Sequence, residues 1–231
     1  MSQIRKRFAA SLQLAVFGAA SLVIAGQAQA ATLVLDPTAD GDVTTFGGDA
    51  VDTTDGALSI LQSGGNITNA ILEFDLGVIP DAATIDSVSL SVVLDRFVSN
   101  TGGNPAEFDV FAYAGDGVVD IADYDAPGSQ VIDAQLPIGG SSGDVLATVF
   151  SDVSPVQALL IGDLLTLRLE TDSFASVQIA SLETLKDLSA SFLTINYTVP
   201  EVSEVPVPAA LPLLLSGIAG LGFASRRRKS A

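Results

Sequence analysis

Ser87-Val88-Ser89-Leu90-Ser91-Val92-Val93-Leu94 is the stretch that decides the fold. Val88, Leu90, Val92 and Leu94 fall on one side of an extended chain and Ser87, Ser89 and Ser91 on the other, the period of two of a half-buried β-strand. Residues 163–171 repeat the idea: Leu165, Leu167 and Leu169 face in, while Thr166, Arg168 and Glu170 face out. The same reading places strands at 32–35, 57–61, 70–76, 108–113, 130–134, 145–151, 176–181 and 191–198. Clusters such as Gly47-Gly48-Asp49 and Gly139-Gly140-Ser141-Ser142-Gly143 separate them as turns. Roughly ten short strands predict an all-β ectodomain, a jelly-roll-like β-sandwich. One short helix interrupts it, with Ser154 as cap, Pro155 in the first helical position and Gly162 as the stop. Its Val156, Leu159 and Leu160 share a face, and it covers one end of the sandwich.

Both ends of the chain read as addresses rather than fold. Arg5, Lys6 and Arg7 form a positive n-region, residues 8–24 an apolar h-region, and Ala28-Gln29-Ala30 an A-x-A cleavage site, so residues 1–30 are a secretory signal peptide cut by signal peptidase. The C-terminal end holds a proline-bearing motif, Val205-Pro206-Val207-Pro208-Ala209, then an apolar run to Ala224, then Arg226-Arg227-Arg228-Lys229. From Val205 the run is 20 residues, which as a helix reaches roughly 30 Å, one bilayer core. Four cations after it resist translocation and place the C-terminus in the cytoplasm, with everything before Val205 outside. The expected organisation is therefore signal peptide 1–30, ectodomain 31–199, linker and sorting motif 200–208, transmembrane helix 209–225 and basic tail 226–231.

The order of proline motif, small-residue-rich span and arginine run resembles the C-terminal sorting signals of bacterial exosortase substrates, the PEP-CTERM class, in its VPLPA variant. The resemblance covers about the last 27 residues, with Pro206-Val207-Pro208 where the best-known form has Pro-Glu-Pro. It implies a temporary anchor cut near the proline motif by an exosortase-type transpeptidase, in a bacterium that makes exopolysaccharide. The alternative is a single-pass anchor that is never cut.

Between the addresses the composition is lopsided. Seven of the ten basic residues lie in the two ends, leaving Arg96, Arg168 and Lys186, against 25 acids. Such a surface repels phosphate backbones, so nucleic acid is excluded as a partner, and anionic polysaccharide is repelled unless divalent cations bridge the two. The chain has no Cys, so the exported domain has no disulfides and its core stands alone.

The middle resembles a family as well. Ile71-Leu72-Glu73-Phe74-Asp75-Leu76, then Ile79-Pro80, then residues 83–92 are similar to the "FDL…IP…ATI…A.L.L.V" stretch of DNRLRE-type domains, secreted jelly-roll modules related to one carbohydrate-binding family. Residues 152–159 resemble that family's short helix and Phe192-Leu193-Thr194-Ile195-Asn196-Tyr197 its closing strand. The family's arginine before the FDL strand has no counterpart among Thr68, Asn69 and Ala70, and its mid-domain Trp has none because the chain has no Trp.

Sugar sites commonly offer flat aromatic faces. Tyr113 and Tyr197 sit in strands and read as half-buried core tyrosines, whereas Tyr124 lies in a loop and is the tyrosine to test for sugar contact. Two acidic stretches have calcium-like spacing. Asp36, Asp40 and Asp42 lie within seven residues, and Asp116, Asp120 and Asp123 belong to a second run that resembles the latter half of an EF-hand loop but has Ala112 and Ala114 where earlier ligands should be. Solvated turn aspartates are the alternative for both.

With no His and no Cys, the Ser-His-Asp and Cys-His arrangements and histidine-ligated metals are excluded. A carboxylate pair could still cleave a glycoside, but nothing selects one from Glu73, Glu107, Glu170 and Glu183, and Glu73 and Glu170 read as outward strand positions. The reading is a non-catalytic structural or adhesive protein of the cell surface or extracellular matrix. The alternative is a carbohydrate-binding module for exopolysaccharide.

Overall fold

The structure, a computed structural model, describes residues 28–45, 47–100, 106–136 and 140–201. The strands are β1 (Gln29–Leu35), β2 (Ala39–Thr44), β3 (Ala50–Asp52), β4 (Ala57–Ser63), β5 (Asn66–Asp75), β6 (Thr84–Asn100), β7 (Ala106–Ala114), β8 (Ser129–Leu136), β9 (Val145–Val149), β10 (Leu164–Glu170), β11 (Ala175–Ala180) and β12 (Phe192–Val199), with one helix, α1 (Ser154–Leu159). All pairings among them are antiparallel, and they run in the order β1-β12-β6-β11-β4-β5-β10-β7-β8, with β2 joined to β5, β3 to β2 and β9 to β6. The fold is all-β, a curled antiparallel sheet that closes on its own apolar face.

Two long strands make the curl. The first half of β6 pairs with β12 and β9, and its second half with β11, with register shifts at Ser176/Val177 and Gln178/Ile179. β5 divides in the same way, Asn66 to Thr68 against β4 and Ala70 to Asp75 against β10, while β2 lies along its other side. Strands that change partners along their length turn the sheet over its core, as bulges and bends do at sandwich corners.

The core is the inward row that the alternation marks. Val88, Leu90, Val92 and Leu94 of β6 meet Leu72 and Phe74 of β5, Leu165, Leu167 and Leu169 of β10, and Leu193 and Ile195 of β12, all within 1% of complete burial. Helix α1 caps one end, where Val156 and Leu160 are buried and Leu159 partly so. Gln157 fixes it there: its amide nitrogen donates to the Ala83 carbonyl at 2.9 Å and its Oε1 accepts from the Ile85 N–H at 2.7 Å. The expected Ser154 cap is replaced. Val153 is the N-cap without a side-chain bond, and Asp152 Oδ1 takes the Ser154 N–H at 2.8 Å instead.

Three further expectations are corrected. Asp40 and Asp42 are not turn aspartates, because Ala39–Thr44 is strand β2, and Ala50–Asp52 is a strand outside the expected set. β6 runs on to Asn100, past the charged pair Asp95-Arg96. Thr166, Arg168 and Glu73 point away from the main core as expected but are not solvated; they are 3%, 7% and 2% exposed under a second layer.

Residues 1–27 of the expected signal peptide, the motif Val205 to Ala209, the expected transmembrane helix and Arg226 to Lys229 lie outside the described residues. Ala28 precedes β1, and Ala30 belongs to it, facing Thr198. Among the described residues no helix is long and apolar enough to cross a membrane.

Candidate functional site

The outward face of β5 and β10 acquires a lid because residues 115–126 fold back over it. Gly115 permits the approach, since a Cβ there would collide with the Glu73 carboxylate and stand 2.8 Å from Thr166 Oγ1. Glu73 Oε1 then accepts the Gly117 N–H at 2.8 Å. Val119 of the lid packs on Val43 and Ile71, a small apolar cluster separate from the main core, with Tyr124 against it. Gly41 serves the same layer, as a Cβ there would lie 2.9 Å from the Asp52 carbonyl and 3.1 Å from Val119.

The lid ends in a 3-10 turn over Ile121–Tyr124, closed by a reciprocal cap: Asp120 Oδ1 accepts the Ala122 N–H at 2.7 Å and Asp123 Oδ2 the Asp120 N–H at 2.9 Å. Asp123 Oδ1 also accepts the Tyr113 hydroxyl at 2.9 Å. Burial, reinforced by the negative Asp123, pushes the Tyr113 phenol well above its ordinary range, so it stays protonated and donating. Asp116 Oδ1 takes the Val118 N–H at 3.0 Å. The carboxylates with EF-hand-like spacing are thus occupied in holding the lid's own backbone.

Beside the lid lies a cavity of about 250 Å³ between β4, β5, β10 and Tyr124. Arg168 forms one wall. Its Nε donates to Glu170 Oε2 at 2.9 Å, its Nη1 to the Ala126 carbonyl at 2.7 Å, and its guanidinium lies 5.1 Å over the Phe111 ring. Asn69, 2% exposed, donates from Nδ2 to the Tyr124 carbonyl at 3.2 Å, which leaves its Oδ1 buried with no hydrogen-bond partner. Asp125, Glu170 and Asp172 reach the same space. A half-buried aromatic ring, an unpaired amide oxygen, a guanidinium and carboxylates are the groups that hold a neutral polyhydroxylated molecule by stacking and paired donors and acceptors.

A larger cleft of about 580 Å³ opens between β2, β3 and the β4–β5 hairpin, lined by Asp42, Asp52, Asp55, Ser59, Asn66 and Thr68 among others. Among the described residues its lining offers no aromatic face. Asp42, 8% exposed, accepts the Ser59 N–H at 2.6 Å, and burial pushes its carboxyl up to about 7. Asp40 is buried too and accepts the Leu182 N–H at 2.8 Å; burial, with Glu183 adding repulsion, raises it to about 6. Asp36 is exposed. Neither aspartate trio converges: among the described residues no three acids are grouped to hold a metal ion.

Of the residues singled out in the sequence, Tyr124 is where a ligand would meet it. Asn69 and Arg168 were not singled out, although a lone arginine alternating with leucines in so acidic a chain was a usable signal. Asn69 gave none. Lys186, another of the three bases between the ends, pairs with the buried Asp95 at 2.6 Å.

No protein-family model matches the chain, and no curated protein matches it.

Proposed function

We propose that this chain is an exported, non-catalytic structural or adhesive protein of the cell surface or extracellular matrix. Its described part is a jelly-roll-like sandwich of the DNRLRE kind, led out by a signal peptide and held by a C-terminal transmembrane helix that an exosortase-type enzyme cuts as a PEP-CTERM signal. The observation that carries this is the agreement between the addresses and the fold. β1 starts at Gln29, inside the A-x-A site, and β12 ends at Val199, shortly before Val205, and the two are paired, Gln29 facing Val199. Apart from Gln29 and Ala30 the folded strands lie in the interval the addresses leave, and a cut after Ala30 shortens only the edge strand, to Ala31–Leu35. Replacing both Pro206 and Pro208 by Ala tests the reading: the variant is expected to accumulate uncut in the membrane fraction, whereas processing indistinguishable from the parent contradicts it.

A second reading, a carbohydrate-binding module for exopolysaccharide, is favoured by the cavity at Tyr124, where Asn69 Oδ1 is unpaired. Retention of the chain on the host's exopolysaccharide, lost in Tyr124→Ala with the circular dichroism unchanged, supports it; no retention on any sugar by the folded protein refutes it.

A further inference from the structure

The free edges of the sheet differ in how they are protected. Among the described residues β1, β3, β8 and β9 each pair with a single strand. An open edge is a template for another strand, and proteins blunt it with charge, proline, bulges or shortness. β3 has three residues and ends in Asp52. β8 carries the exposed Asp133 and meets a register shift at Val110/Phe111. β9 has five residues, and the chain just after it turns to β8, where the Ser151 N–H donates to the Val131 carbonyl. β1 has none of these devices. Its seven residues, QAATLVL, contain no charge and no proline, its register against β12 is unbroken, and Val34 is 58% exposed.

Charge is segregated in the same sense. β1, β9 and β12 contain no Asp, Glu, Lys or Arg, and the part of β6 that pairs with them, residues 84–93, holds only Asp86. The far strands carry Asp40, Asp42, Glu73, Asp109, Arg168 and Glu170. Two copies of so acidic a domain repel each other in most orientations, and the β1 edge is the long edge they can share without opposing charges.

We infer that this edge pairs with the β1 edge of a second copy, antiparallel about a two-fold axis, so that the sheet β9-β6-β12-β1 continues across the pair. Antiparallel self-pairing sets uncharged residues opposite uncharged residues and closes after two copies. If the chain is cut after Ala30, Ala31–Leu35 still supply the edge. The inference is independent of how the tail is handled.

Because the chain has no cysteine, a single substitution reports its own neighbour. The purified, solubilised full chain carrying Thr32→Cys, Val34→Cys or both, oxidised in solution, is expected to give a covalent dimer of twice the chain mass. Val149→Cys, 65% exposed on β9, is expected to give little. Thr32→Lys combined with Val34→Lys should abolish concentration-dependent dimerisation of the solubilised chain with its circular dichroism unchanged. No cross-link from either single variant or from the double Thr32→Cys/Val34→Cys chain, a yield at Val149 equal to the best β1 yield, an adduct with a different mass, or a dimer that survives the lysines overturns the inference.

Discussion

Asp42→Asn should raise stability above neutral pH and do little in acid. Burial holds the Asp42 carboxyl at about 7 against an ordinary 3.8, a difference of about three units, which corresponds to roughly 4 kcal/mol of cost for carrying the ionised form in the fold. The sign follows from proton binding. Between about pH 4 and 7 the folded chain keeps a proton that the unfolded chain releases, so stability falls as pH rises through that window and levels off above it. Asn keeps an oxygen for the Ser59 N–H and has no charge to desolvate. Allowing for relaxation of the cleft, the variant is expected to gain about 2–4 kcal/mol at pH 8, a Tm rise of about 5–15 °C, shrinking to about 1 kcal/mol at pH 4.5. Thermal unfolding of residues 31–199 of both proteins, followed by circular dichroism across pH 4.5 to 8, measures this. The difference between variant and parent cancels the general relief of charge repulsion in acid. A gap of equal size at both pH values, or a variant less stable at pH 8, refutes the argument.

Gly115→Ala pushes a methyl group into the Glu73 carboxylate and is expected to cost about 1–3 kcal/mol, read as a lower urea midpoint; an unchanged midpoint would mean the lid does not sit on Glu73. Leu167→Ala, in the middle of the core, should cost about 2–5 kcal/mol by the same measurement, and less than 1 would place it outside the packed layer. Added calcium or EDTA is expected to leave Tm unchanged, because Asp40, Asp42, Asp116, Asp120 and Asp123 already accept N–H groups and no trio converges; a calcium-dependent rise of several degrees would contradict that.

The inward rows of β6 and β10 were legible because strict alternation of leucine and valine with polar residues has one physical reading. β2 was not. Asp40, Gly41 and Asp42 look like a turn, and what makes them a strand is burial against β5 with N–H donors from Leu182 and Ser59, partners remote in sequence. The extension of β6 was hidden in the same way, since Asp95 is tolerated by pairing with Lys186, far along the chain. Alternation assigned Glu73 and Arg168 to the outer face correctly, but it says nothing about whether a distant loop covers that face. Tyr124 was identifiable as a loop aromatic. Its neighbours Asn69 and Arg168 come from strands read as structural, so the cavity emerges only when β5, β10 and the lid are brought together.

The central claim is that the tail is a processed address on an exported sandwich, and the intact mass of the protein from its own host tests it most directly. A mass that begins at Ala31 and ends near Pro206 to Ala209, with the full tail retained in a strain lacking its exosortase, is the predicted result. A chain that still runs to Ala231 in both strains contradicts it and makes this a permanently anchored protein.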